Sequence, residues 1–368
     1  MASAFHGGGF WRALGERFDS LDRAQEVIDA DVLDAWFDPA PGVVQALSRD
    51  ISWSARTSPP THAAGLEAAL ASALGIQAPS ILVGAGSSAL IYLALGRWLS
   101  AGSKVLIPEP TYGEYAHYCD HVVGCGKTQF LLRQEDAFQL NLGEWVRAVR
   151  DGRYDLAVLV NPNNPTGDVI AASALDDALR EVPSSTRVLI DEAYFDYVAD
   201  GHCWPSASQR FREIPRNVFV LKSLSKSLAL SGLRVAYLAG HPDEIALLRL
   251  HTPPWAVSLP AQMAVIAALG ERACYEARYR ETDVLRERLS CGLSRLGFEV
   301  QFGAANWLLC QVPEAMGGAP ELVSRVAERG LFLRDAGATA PSLGNQWVRV
   351  AVKGSSTQDR MFAILQGL

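Results

Sequence analysis

From Ser80 onward, short apolar runs alternate with longer stretches whose apolar residues recur at helical spacing. That alternation admits few folds, because it calls for strands joined by crossover helices and hence a mostly parallel sheet covered on both faces. The runs predicted as strands are 81–84, 104–107, 128–132, 156–160, 187–190, 218–221 and 235–239. Each is too short to persist as an isolated helix. Between them, 88–99 and 172–180 carry helical spacing, with Ser87 or Ser88 placed to cap the first. After His241-Pro242 the texture changes. Long helical segments run to Leu296, followed by strand candidates at 298–302, 307–312, 331–333 and 347–352, which predicts a second, α+β lobe. The first 51 residues are Trp-rich and irregular, with Pro39, Pro41 and Gly42, and read as an arm laid over the domains. The expected organisation is an arm at 1–50, a large α/β domain at 51–240 and a small domain at 241–368.

The chain is long and apolar enough for a large buried core, with 368 residues of which 49% are hydrophobic, so disorder and fibrous repeats are excluded. With 33 Lys+Arg against 40 Asp+Glu the net charge is -7, and no basic excess exists to neutralise a phosphate backbone. Nucleic acid is therefore not an expected partner. The six cysteines, Cys119, Cys125, Cys203, Cys274, Cys291 and Cys310, contain no C-x-x-C pair. They suit reduced thiols better than a disulfide scaffold or a zinc ribbon, and no metal site is expected. No run approaches the ~18 apolar residues of a membrane span. A cytoplasmic protein with no membrane association is the expectation.

Four loops that follow predicted strands carry the chemistry, and open α/β sheets place ligands at such loops. The first, Gly84-Ala85-Gly86-Ser87-Ser88, lets backbone N–H groups at a helix start meet an anion such as a phosphate. The second, Asn161-Pro162-Asn163-Asn164-Pro165-Thr166-Gly167, is a rigid turn that fixes an Asn amide at the sheet edge, where Asn164 could donate to an anionic ring oxygen. The third, Asp191-Glu192-Ala193-Tyr194, puts a carboxylate at the end of an apolar strand, where it needs a cation; a protonated pyridine nitrogen would supply one. The fourth runs from Ser223-Leu224-Ser225-Lys226 to Gly232-Leu233-Arg234. An amine there can form a Schiff base with an aldehyde, and an Arg eight residues on can reach a phosphate. Lys222 is the local competitor for Lys226. Each loop alone is equally an ordinary turn, and a single Lys is more often a solvated surface group.

Together with Pro110-Thr111-Tyr112, these segments resemble the pyridoxal-phosphate aminotransferases of fold type I. The resemblance implies a large domain with a mostly parallel seven-stranded sheet and a smaller C-terminal α+β domain. It implies Lys226 as the residue joined to the cofactor, Asp191 as partner of the pyridinium, and Asn164 and Tyr194 on the ring hydroxyl. Tyr112 would stack on the ring, while Ser87, Ser88, Ser223 and Arg234 would hold the phosphate, with Ser225 assisting. A homodimer is implied as well, with Trp36, Trp53 and Trp255 as interface candidates.

Further segments are similar to threonine-phosphate decarboxylases and to histidinol-phosphate aminotransferases. They are His6-Gly7-Gly8-Gly9, Pro110 to Tyr115, Pro254 to Ser258, Leu333-Arg334-Asp335 and Trp347 to Lys353. By that likeness Arg349 would clamp the substrate carboxylate, while Arg334 and His6 would meet a substrate phosphate. The family's Asn-Ile-Asn-Pro-type segment is replaced here by Leu33-Asp34-Ala35-Trp36-Phe37-Asp38-Pro39, which brings an acidic Asp38 toward the substrate. Ser58 stands where many relatives donate a Tyr to the partner subunit. The first expectation is decarboxylation of an O-phosphorylated or similarly anionic amino acid. The alternatives are transamination of the histidinol-phosphate type, elimination, replacement or cyclisation at Cβ or Cγ, and a noncatalytic binding protein on the same scaffold.

Overall fold

The computed structural model describes residues 8–198, 206 and 215–368; His6 and Cys203 lie outside them. An arm with two short helical segments, Trp11–Leu14 and Leu21–Gln25, opens the described chain, and its two-residue strand β1 (Ile28–Asp29) pairs in parallel with a strand near the C-terminus. The central sheet follows, built from β2 (Ile81–Gly84), β3 (Lys104–Glu109), β4 (Gly126–Leu131), β5 (Leu156–Val160), β6 (Arg187–Asp191), β7 (Val218–Ser223) and β8 (Ala236–Ala239). Its order is β2-β8-β7-β6-β5-β3-β4, and β8 alone runs against the direction of the other six.

Alternation along each strand divides its side chains between two apolar layers. Ala157, Leu159, Val188, Ile190, Val218 and Val220 enter one, while Leu156, Val158, Leu189, Phe219 and Leu221 enter the other. Helices cover both layers, which is why the sequence shows continuous apolar runs instead of a polar-apolar alternation. The edge strand β4 departs from this pattern, being largely exposed along its length.

The C-terminal lobe holds a second sheet of β9 (Glu299–Gln301), β10 (Trp307–Gln311), β12 (Arg334–Asp335) and β13 (Trp347–Ala351), in the antiparallel order β12-β13-β10-β9. The partner of β1 is β11 (Leu331–Phe332). Three helices precede this sheet, Pro242–Arg249, Leu259–Leu269 and Arg272–Arg295. The expected architecture of a large, mostly parallel seven-stranded sheet with a smaller α+β lobe is the one found.

Local differences have local causes. The stretch read as irregular before Ile51 ends in a 16-residue helix, Pro41–Arg56, which Pro at its first position helps to start. The strands β1 and β12 are two residues each, too short to leave a periodic signal. Neither Ser87 nor Ser88 caps the helix Ser87–Trp98; Gly86, at φ +92°, occupies the capping position with no side-chain bond. Trp36 is spent within the chain, its indole N–H donating to Thr282 at 2.8 Å, whereas Trp53 and Trp255 are half exposed.

The small lobe sits on the carboxyl ends of β3 and β5. The Ser342 hydroxyl donates to Glu109 at 2.8 Å, and the Trp307 indole donates to the Pro165 carbonyl at 2.8 Å. Gly167, at φ +76°, approaches Gly303 so closely that a Cβ would lie 2.7 Å from the Gly303 Cα. Gly167→Ala is expected to cost about 1–3 kcal/mol in denaturant unfolding, since it adds left-handed strain to a backbone clash. Gly65→Ala, at a helical position with nothing within 4 Å, is expected to be neutral or stabilising.

Candidate active site

Five parallel strands end at one rim, and the loops beyond them line a cavity of about 500 Å³. Ser87 and Ser88 follow β2, Thr111 and Tyr112 follow β3, and Asn164 follows β5. Tyr194 follows β6, and Ser223 and Lys226 end and follow β7; all of these line it. Arg334 and Arg349 reach in from the small lobe, and Val32 and Leu33 from the arm.

At one end lies the start of the helix Ser87–Trp98, where unsatisfied backbone N–H groups favour an anion. Arg234 lies over it, its guanidinium 2.6 Å from where a Cβ on Gly86 would fall, and the φ of +92° at Gly86 favours glycine there. Ser87, Ser88, Ser223 and Arg234 thus bound a cradle suited to a phosphate. Ser225 lines no part of the cavity. Its hydroxyl donates to the Val235 carbonyl at 3.1 Å and accepts from the Val235 N–H at 3.0 Å, so it braces the loop.

At the same rim, Asp191 ends β6 and is 4% exposed. Its carboxylate accepts from the Tyr115 hydroxyl at 2.8 Å and from the Ala193 N–H at 3.0 Å, both neutral donors. Burial pushes its pKa up to about 6, against the pull of those two bonds. Among the described residues it has no cationic partner. Tyr112 and Tyr194 lie near it, both half-buried, and desolvation raises both phenols. Tyr194 packs edge-on against Trp307 at 4.8 Å.

The three asparagines of the second loop divide their work. Asn161 bonds with the Ile170 backbone; Asn163 accepts from Thr111 at 2.6 Å and donates to the Pro110 carbonyl at 2.9 Å, tying two loops together. Asn164 accepts from Arg349 Nη1 at 2.6 Å through its amide oxygen, which leaves its NH2 to donate.

Arg334 and Arg349 stand directly opposite in the β12–β13 register, so both guanidiniums share one face. Asp31 separates their roles. Its carboxylate lies 2.6 Å from Arg334 Nε and also accepts from the Gly8 N–H at 3.0 Å, whereas Arg349 receives only its main-chain carbonyl, at 2.8 Å from Nη2. Arg349 therefore has neutral partners only, and its buried Nε has no hydrogen-bond partner among the described residues. Burial first, and then the nearby Arg334, lower its pKa to about 10.

Lys226 and Lys222 also separate. Lys222 is buried away from the cavity, 3.1 Å from Asp196 and over the Phe195 ring. Lys226 Nζ lies in the cavity, 2.6 Å from Asp34 Oδ1. The acid expected near the substrate was Asp38, but that residue is exposed and lines no part of the cavity. Asp34 takes its place. Sequence reasoning assigned no role to Asp31, Asp34 or Tyr115, or to His117 and His121, which line the cavity with ring centroids 4.9 Å apart. The divergent arm segment was the available signal for Asp34, and the Pro110 to Tyr115 segment for Tyr115.

These features fit pyridoxal phosphate. The buried, cation-less Asp191 suits a protonated ring nitrogen, the Gly86 cradle suits a phosphate, and Lys226 supplies the amine.

Comparison with known proteins agrees. The family model described as aminotransferase class I and II matches residues 31–365. The chain is 30% identical to a histidinol-phosphate aminotransferase of Moorella thermoacetica, covering 80% of this chain and 74% of that protein. It is 32% identical to an aromatic amino acid aminotransferase of Thermobifida fusca, covering 76% and 75%. Its fold superposes on an L-threonine-O-3-phosphate decarboxylase of Porphyromonas gingivalis with a TM-score of 0.80, at 21% identity over 93% of this chain and 99% of that one. The chain belongs to the class I and II aminotransferases, enzymes of fold type I that use pyridoxal phosphate.

Proposed function

We propose that this enzyme transaminates an α-amino acid whose carboxylate is held by Arg349. The observation that carries the reading is the unequal pairing of the two arginines. Arg334 is neutralised by Asp31, while Arg349 presents a guanidinium with neutral partners only. A single planar fork suits a carboxylate. A carboxylate held in an ion pair is hard to lose as neutral CO2, because the pair stabilises the ground state more than the transition state. The sequence relatives named above are aminotransferases, and the decarboxylase likeness is one of fold.

When bound, pyridoxal phosphate supplies an aldehyde for an amine and a charged conjugated ring that draws electrons from the substrate's α-carbon. In this reading Lys226 Nζ would hold the cofactor and, as a free amine, would move the proton at the substrate's α-carbon. Asp191 holds the ring nitrogen proton, Tyr112 stacks, and Asn164 and Tyr194 bond the ring hydroxyl. Ser87, Ser88, Ser223 and Arg234 hold the phosphate. Asp31 keeps Arg334 from acting as a second anion site, which disfavours a phosphorylated substrate. A homodimer completes the reading, with the exposed Trp53 and Trp255 in its interface.

Incubation with a panel of amino acids separates the reactions: transamination converts the cofactor to its pyridoxamine form and releases an oxoacid, whereas CO2 from threonine phosphate would overturn the proposal. Arg349→Gln is expected to raise KM for the amino acid about 10- to 100-fold, the value of a charge-assisted bond, in steady-state kinetics. Asp191→Asn is expected to weaken cofactor affinity at least ~10-fold well above pH 6, measured by equilibrium titration. Asp191 of the unloaded native protein becomes protonated as pH falls through about 6, and is then as neutral as Asn. The native-to-variant affinity ratio should therefore shrink toward one below that pH.

A further inference from the structure

The arm contributes an acid to the reactive amine itself. Asp34 Oδ1 lies 2.6 Å from Lys226 Nζ, with the two side chains 39% and 19% exposed. Its backbone is well anchored. Asp29 Oδ1 accepts from the Val32 N–H at 3.0 Å, the Ala30 N–H donates to Phe332 at 2.9 Å, and the Ala30 carbonyl accepts from Ala351 at 3.0 Å. On the other side, the Tyr197 hydroxyl donates to the Lys226 carbonyl at 2.9 Å and fixes the turn that carries the lysine. Neither partner is a loosely tethered surface group.

Other charges around the pair do not replace this contact. Asp29 comes from β1, Lys353 from the segment after β13, Tyr194 and Tyr197 from the segment after β6, and Ser231 from the Lys226 loop; Arg334 and Arg349 lie beyond Tyr194. Burial would push the Asp34 carboxyl up, but Lys226, by charge and hydrogen bond, leads the set of groups that bring it down. Lys353 also draws Asp34 down, but after Lys226 and Ser231.

We propose that Asp34 is the counter-ion of the Lys226 nitrogen and stabilises its charged form relative to the neutral form that must be reached before the amine can accept a proton. Asp34 acts through Lys226 and is a positioning residue. The inference rests on the reading of Lys226 as the attachment site.

The test is a pH titration of the visible absorbance of the loaded enzyme. Asp34→Asn is expected to move the midpoint down by about 1–3 pH units, the effect of removing an adjacent opposite charge, and Asp34→Glu to restore most of it. An unchanged midpoint in Asp34→Asn overturns the proposal. Borohydride trapping with peptide mapping keeps the two readings apart: a tag on another lysine overturns the Lys226 reading, whereas a tag on Lys226 with an unchanged midpoint overturns the Asp34 proposal alone. Should Asp34→Asn fail to retain cofactor, the unloaded proteins decide. Acylation of Lys226 by an amine-selective reagent near neutral pH is expected to be about 10-fold faster in the variant, and equal rates overturn the proposal.

Discussion

A carboxylate at the end of a fully covered strand, with neutral donors alone around it, is the constraint on which the site depends. Asp191 sits 4% exposed with its pKa raised to about 6. Relative to an ordinary Asp, that shift corresponds to a cost on the order of 3 kcal/mol for holding the group ionised. Tyr115 and Ala193 offset part of the desolvation and leave the need for a cation unmet. The sheet that buries Asp191 also brings the loops after β2, β3, β5 and β7 to the same rim. One architectural fact therefore supplies the acid, the phosphate cradle, the amide and the amine.

The arm completes the electrostatics from the other side. Asp31 neutralises Arg334 and leaves Arg349 available, while Asp34 stands against Lys226. The two acids are three residues apart on one extended segment, yet they act on different lobes. This division accounts for a site in which one anion clamp and one amine are distinguishable although four Lys and Arg side chains line the same walls. In the proposed reading it also ties substrate choice to the arm instead of to the cofactor loops.

Much of this was legible in the sequence, for physical reasons. Strands buried on both faces give unbroken apolar runs, and loops that approach a ligand need small or conformationally special residues such as Gly86 and the Asn-Pro turns. Asn164 was singled out from the turn, but the sequence does not say that the amides of Asn161 and Asn163 are spent on the loop itself. The resemblance implied Ser225 as an assisting phosphate contact, but its hydroxyl is engaged by the Val235 backbone. The Asp34–Lys226 contact spans 192 positions and the Gly167–Gly303 approach joins two lobes. No local pattern encodes either. The short strands β1 and β12, which aim Asp31 and Arg334, leave too little periodicity to read.

The most direct test of the account is the protonation state of the cofactor's ring nitrogen. With nitrogen-15-labelled pyridoxal phosphate bound to the native enzyme, the ring-nitrogen resonance at a pH well above 6 is predicted to have the chemical shift of a pyridinium, because Asp191 is then ionised beside it. A resonance at the position of a neutral pyridine under those conditions would contradict the claim that a buried acid organises this site.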